Sequence, residues 1–221
     1  MLDCFVPFLV NNKYIDPTIN KGGLAGVPGC LEHSWALVEA LLNVKRNKRQ
    51  IICTITDIIN AFGSTKHNLI QFALAWYHVP VWFAEIAFHY YDNLVALVCT
   101  PDWSTSPCRY GIGVFQGCVI ALLFFILCYQ LVIDFMKRFG IQPYTFRSNI
   151  VPTPSILQQA CVDDHTLVSC SPFGAQFNLG TLYNTLKWTK CSDSNRMAAA
   201  ALPLATDDST LVLHMVSLIL S

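Results

Sequence analysis

Residues 117–129 read GCVIALLFFILCY, thirteen positions without a charge. Any fold must either bury that run or place it in a membrane. A spanning helix needs about 20 predominantly apolar residues, and here polarity returns at Gln130 and Asp134. The expectation is therefore a core helix over about 117–138, with no membrane partner. A second apolar stretch, 210–220, is shorter still and contains His214.

The rest of the chain can supply the core that such a helix needs. It has 221 residues, 53% of them apolar, enough for one sizeable domain. Fourteen basic residues balance fourteen acidic ones, which argues against a free-standing nucleic-acid binder with its usual basic excess. Ten cysteines stand at 4, 30, 53, 99, 108, 118, 128, 161, 170 and 191, with no Cys-x-x-Cys pair and mostly apolar neighbours. That spacing speaks against a zinc site, and the absence of a secretory signal speaks against a disulfide framework. Buried free thiols of an intracellular protein fit best.

Residues 31–44 place Leu31, Trp35, Val38 and Leu42 on one stripe at helical spacing. The run Lys45-Arg46-Asn47-Lys48-Arg49 closes that helix, either as cations complementing its dipole or as a contact for backbone phosphate. Upstream, Asn20-Lys21-Gly22-Gly23 and Gly26-Val27-Pro28-Gly29 form a glycine-rich loop. Lacking a strand before it and a Lys-Ser/Thr after it, this is no phosphate loop. Residues 50–56 read as a short buried strand ending at Asp57. Helical patterns follow at 66–78 and 81–91, then a strand pair (93–99 and 108–115), the long helix, two strands (155–162 and 165–170) and a helix at 173–190. This order indicates an α+β fold, an antiparallel sheet with helices on one face, close to a split βαβ arrangement.

Asp163-Asp164 stands between apolar strands, where two adjacent carboxylates repel unless a cation neutralises them. A hard divalent ion, Mg²⁺ or Mn²⁺, is the natural partner. The bland alternative is an exposed Asp-Asp hairpin turn. Asp57 ends a different strand, and two strand-end acids can meet and hold two metal ions about 4 Å apart. Its own alternative is a helix N-cap.

Ile55-Thr56-Asp57-Ile58-Ile59-Asn60-Ala61-Phe62 resembles polymerase motif A. Gly113-Val114-Phe115-Gln116-Gly117-Cys118-Val119-Ile120 is similar to motif B, and Ala160-Cys161-Val162-Asp163-Asp164 to motif C. Their order and spacing resemble the reverse transcriptases of non-LTR (LINE-type) retrotransposons, over roughly residues 8–190. The resemblance implies a polymerase palm at 51–190, partial fingers at 1–50 and a divergent tail at 191–221. It implies an RNA-directed DNA polymerase working on an RNA template and DNA primer with dNTPs, in the nucleus. Asp57, Asp163 and Asp164 would be the catalytic metal-binding carboxylates. Phe62 would pack under the sugar and exclude a 2′-hydroxyl; ordinary core packing is the alternative, and both can hold together. Gln116 and Gly117 would approach the incoming base pair, though a strand-to-helix turn also calls for Gly.

The chain departs from that pattern. Cys161 stands where motif C usually opens with an aromatic residue, and Ala121-Leu122 where motif B usually continues Ser-Pro. Asn20 and Gly23 stand where Gln and Phe are usual, and the 191–196 segment lacks a convincing motif D lysine. The first fingers motif would precede Met1, and the thumb would follow the last matched block. The chain alone is therefore expected to extend a primer poorly. Two readings follow, a polymerase domain with its metal site and a catalytically silent retroelement remnant.

Overall fold

The computed structural model describes residues 2–24, 26, 27, 29–58, 60–147, 152–189 and 197–204. The first half contains α1 (Leu2–Asn11), α2 (Leu31–Asn47), β1 (Ile51–Ile58), α3 (Ala61–Ser64), α4 (His67–Trp76) and α5 (Val81–Asp92). The two-residue strands β2 (Val95–Ala96) and β3 (Cys108–Arg109) follow, then the long helix α6 (Val119–Phe139). The second half adds β4 (Tyr144–Thr145), β5 (Ser155–Ile156), β6 (Gln158–Cys161), β7 (Asp164–Ser169), α7 (Pro172–Thr189) and β8 (Met197–Leu204).

The apolar run folds as α6, and its hydrophobicity is taken up by protein. Phe124, Phe125, Ile126, Leu127 and Cys128 are wholly buried, packed with residues of α1, α4, α5 and α7. By length and composition alone this helix could cross a membrane. Its polar positions are nonetheless paired inside the fold. Asp134 accepts from the Tyr77 hydroxyl (3.0 Å) and from Gln130 Nε2 (2.7 Å), and Gln130 Oε1 accepts the Asp16 N–H. The helix ends on Lys137 and Arg138, cations that complement its dipole.

Four strands form the main sheet in the order β6-β7-β1-β8, with every neighbouring pair antiparallel. Because side chains alternate along a strand, β1 splits into two sets. Thr54, Thr56 and Ile58 face α6 and α7 together with Leu167 and His165. Ile51 and Cys53 face the opposite way with Val168, against Ala40 and Val44 of α2. Helices therefore cover both faces, not one as expected, and α2 covers only part of the second. Beyond it, Ile55 is 48% exposed.

Three other expectations shift. The α2 stripe of Leu31, Trp35, Val38 and Leu42 faces outward, while His33, Ala40 and Val44 turn inward. Helical spacing was right and the buried face was not: small Ala40 allows a close approach that Trp35 would prevent. All five tryptophans (35, 76, 82, 103 and 188) are likewise more than half exposed. The strand pair near residue 100 shrinks to β2–β3 and one bridge, Cys99 to Ser104. The 155–162 strand breaks at Leu157, so that β5 pairs with β4 and β6 with β7. Most of the 191–221 tail lies outside the described residues, as does 191–196, but β8 extends the sheet along all of β1.

Candidate active site: three carboxylates at one end of the sheet

β1 carries Asp57 out of the core at its C-terminal end, exposed on the same face as Ile55. Its last pair with β7 is Thr56 opposite His165, and there the Thr56 hydroxyl donates to the His165 carbonyl (3.0 Å). Asp57 and Asp164 come one step beyond that last pair, one on each strand, and both are exposed. Asp164 pairs with Cys161 and begins β7, so the hairpin loop is Val162-Asp163. The expected Asp-Asp turn is displaced by one residue. Nor is Asp57 a helix N-cap; Asn60 holds that position for α3.

The loop is an uncommon one. Val162 has φ 61°, left-handed backbone that is an outlier for a β-branched residue. Asp163 is half-buried. Burial pushes its carboxyl above the usual carboxylate range, the charges of Asp164 and Asp57 add to that, and its own backbone N–H partly offsets them. Asp163 thus senses both of the other acids. Among the described residues, however, no three His, Cys, Asp or Glu side chains converge as metal ligands. Both statements hold because Coulomb repulsion acts over several ångströms, whereas ligand oxygens must close to about 2.0–2.6 Å around Mg²⁺ or Ca²⁺. No lysine or arginine in the described ion pairs neutralises them; those pairs are Lys21–Glu32 and Lys137–Asp16. An all-oxygen, uncompensated donor set is chemically suited to a hard divalent cation.

Phe62 sits in α3, directly after β1, with its ring stacked on Phe125 (centroids 4.7 Å apart, 20° between planes). Core packing thus occupies one side of it. The segment leading into α6 is fastened to α3: Val114 donates to the Phe62 carbonyl (2.8 Å) and Gly113 to that of Thr65 (2.8 Å). Gly113 has φ 86°, and a Cβ there would lie 2.7 Å from the Gly63 carbonyl oxygen. Gln116 and Gly117 follow, exposed in the turn before α6.

Several residues here escaped the sequence reading. His165, wholly buried beside Asp164, hydrogen-bonds the Tyr129 hydroxyl through Nδ1 (2.7 Å), and burial drives its pKa down to about 3. Burial pushes the Cys161 thiol up to about 12, helped by the Cys30 thiol it bonds and by Asp164 and Asp163. Asn20 and Gly22 reach the same hairpin from the N-terminal segment, and Gly23 lies against Leu122 of α6. Adjacent glycines were the visible signal for that close approach. A cavity of about 690 Å³ lies elsewhere, lined by Lys21, Glu32, His33, Lys137, Gln158 and Gln159 but by none of the carboxylates. Its two lysines are already ion-paired.

No family model matches the sequence, and no curated protein matches it. Solved structures do. Apo telomerase from Candida tropicalis, truncated from its C-terminal domain, aligns over 81% of this chain with a TM-score of 0.57 and 13% identity. The fold is reverse transcriptase-like. Telomerase from the same organism, solved with a TWJ fragment of telomeric RNA, aligns over 77% of the chain with a TM-score of 0.52 and 11% identity. The chain spans 36% and 29% of the length of those two chains.

Proposed function

We propose that this chain carries the polymerase centre of a retroelement-type reverse transcriptase, with the four-stranded sheet as palm and residues 1–50 as part of the fingers. The reaction is nucleotidyl transfer from a dNTP to a primer 3′-hydroxyl on an RNA template. What supports this reading is the placing of Asp57, Asp163 and Asp164 at one open sheet end, where neither ion pair among the described residues reaches them. A pair of Mg²⁺ or Mn²⁺ ions bound there would supply charge for the attacking hydroxyl and the departing pyrophosphate. The protein's part is positional. Asp57 and Asp164 come from adjacent strands locked by the Thr56–His165 pair, and Asp163 projects from the hairpin loop between β6 and β7. Phe62, braced by Phe125, would lie beneath the deoxyribose, and Gln116-Gly117 would border the template side. The second telomerase structure holds a fragment of telomeric RNA, which supports RNA binding here.

Mn²⁺ titration of the chain, read by electron paramagnetic resonance, tests the site. Asp163→Asn should bind about tenfold more weakly or worse, and equal binding would refute the assignment. The silent-remnant reading draws on the carboxylates' lack of convergence. Primer extension on an RNA template separates the two: synthesis abolished by Asp163→Asn supports an active polymerase. Metal binding without any synthesis supports the remnant.

A further inference from the structure

Val162 should not hold a left-handed conformation unaided, and the N-terminal segment supplies the aid. Residues 19–21 run alongside β6 through a single parallel bridge, Asn20 to Ala160. Ala160 donates to the Ile19 carbonyl (2.8 Å) and Lys21 donates to the Ala160 carbonyl (3.0 Å). This sets Asn20, wholly buried, under the hairpin. Its side-chain oxygen accepts two backbone N–H groups, that of Val162 and that of Gly22 (both 3.1 Å). Its Nδ2 has no partner among the described residues, so the side chain is held through its acceptor alone. Gly22 then lies against the loop so closely that a Cβ would stand 2.3 Å from Val162 Cγ2 and 2.6 Å from Val162 N. Gly23 does the same against Leu122 in the first turn of α6.

We propose that Asn20 and Gly22 are positioning residues that hold the Val162-Asp163 loop in its left-handed form and thereby aim Asp163 and Asp164 at a shared cation. The inference rests on the reading of these carboxylates as a metal site. Left-handed backbone at a β-branched residue persists only when its surroundings over-determine it. Here one buried amide oxygen and one missing side chain do so, from a segment some 140 positions away in sequence. Without them the loop relaxes, and because Asp163 and Asp164 directly follow Val162, both carboxylates turn. Gly23 ties the same segment to the start of α6, so the hairpin and the turn holding Gln116-Gly117 share one reference point.

The test is Mn²⁺ affinity of the whole chain by electron paramagnetic resonance, with far-UV circular dichroism recording the fold. Asn20→Ala removes the acceptor. Gly22→Ala leaves both hydrogen bonds possible and pushes on the loop instead, so it decides the matter should Asn20→Ala not fold. Each is expected to weaken Mn²⁺ binding about tenfold, the lower end of what orienting partners contribute to metal sites, with the circular dichroism unchanged. Adding Val162→Gly, which accepts the left-handed backbone without penalty, should restore most of the affinity. Parent-like binding in both single variants overturns the proposal, as does a loss that Val162→Gly leaves undiminished. If Asp163→Asn binds Mn²⁺ as tightly as the parent, the metal site itself falls and the positioning role with it.

Discussion

On the sheet face covered by α6 and α7, Thr54, Thr56, His165 and Leu167 are almost completely buried. On the opposite face, Ile55, Asp57 and Asp164 reach solvent. The same two strands supply both sets, one residue out of step. The covered face meets part of its polar needs internally, through Thr56 to the His165 carbonyl and His165 Nδ1 to Tyr129. His165 Nε2 is buried without a partner among the described residues. The open face carries carboxylates that neither ion pair among the described residues neutralises. Stability and chemistry have been sorted onto opposite sides of one ribbon.

The covered face should break hardest. Phe125 is wholly buried and stacks on both Phe62 and Tyr129, so Phe125→Ala should cost about 3–5 kcal/mol in urea denaturation followed by circular dichroism. A loss below about 1 kcal/mol would mean that the stack is not core. Tyr129→Phe keeps the ring and deletes the hydroxyl that meets His165. Leaving a buried group unpaired costs about 1–3 kcal/mol, and a variant as stable as the parent would show the pair to be idle.

On the open face the sign should reverse. Asp163 is pushed above its ordinary range by burial and by its acidic neighbours, so its ionised form destabilises the native state. Asp163→Asn should raise the melting temperature slightly at neutral pH. The advantage should shrink as pH falls through the raised carboxyl value, where the parent takes up its proton. A lower melting temperature at pH 7 would contradict the picture of uncompensated charge. The smallest effect belongs to the periphery, where Lys137 meets Asp16. Burial raises the Asp16 carboxyl, but hydrogen bonds from Lys137 and Thr18 outweigh it and hold the pKa below the ordinary value. Its stabilisation is complete above the ordinary aspartate pKa and is lost as pH falls through the depressed one. Lys137→Met should therefore cost only about 0.5 kcal/mol at neutral pH, measured by urea titration, and should flatten the loss in acid.

How much of this could be read from the sequence depended on whether the signal was local. β1 and α6 are continuous apolar runs with a carboxylate or basic residues at the end, and both fell within a few residues of expectation. The hairpin around Asp163 was legible too, but its register slipped by one because nothing nearby marks Val162 as a left-handed residue. That conformation is set by Asn20, far off in the chain. The outward stripe of α2 was misjudged for a related reason. Periodicity identifies a helix with an apolar side, but which side packs depends on what the sheet can accept. Pairing of β8 with β1 had no local sign at all, since an alanine-rich stretch is a poor advertisement for a strand.

The exposed tryptophans have a practical optical consequence. Trp35, Trp76, Trp82, Trp103 and Trp188 are 56–64% accessible in the folded chain, so their emission is already that of indole in water. Unfolding should move the fluorescence maximum very little, and a flat fluorescence trace on heating would not mean that the protein had resisted. The same five indoles are well placed to report an arriving macromolecule, because whatever covers them must dry them.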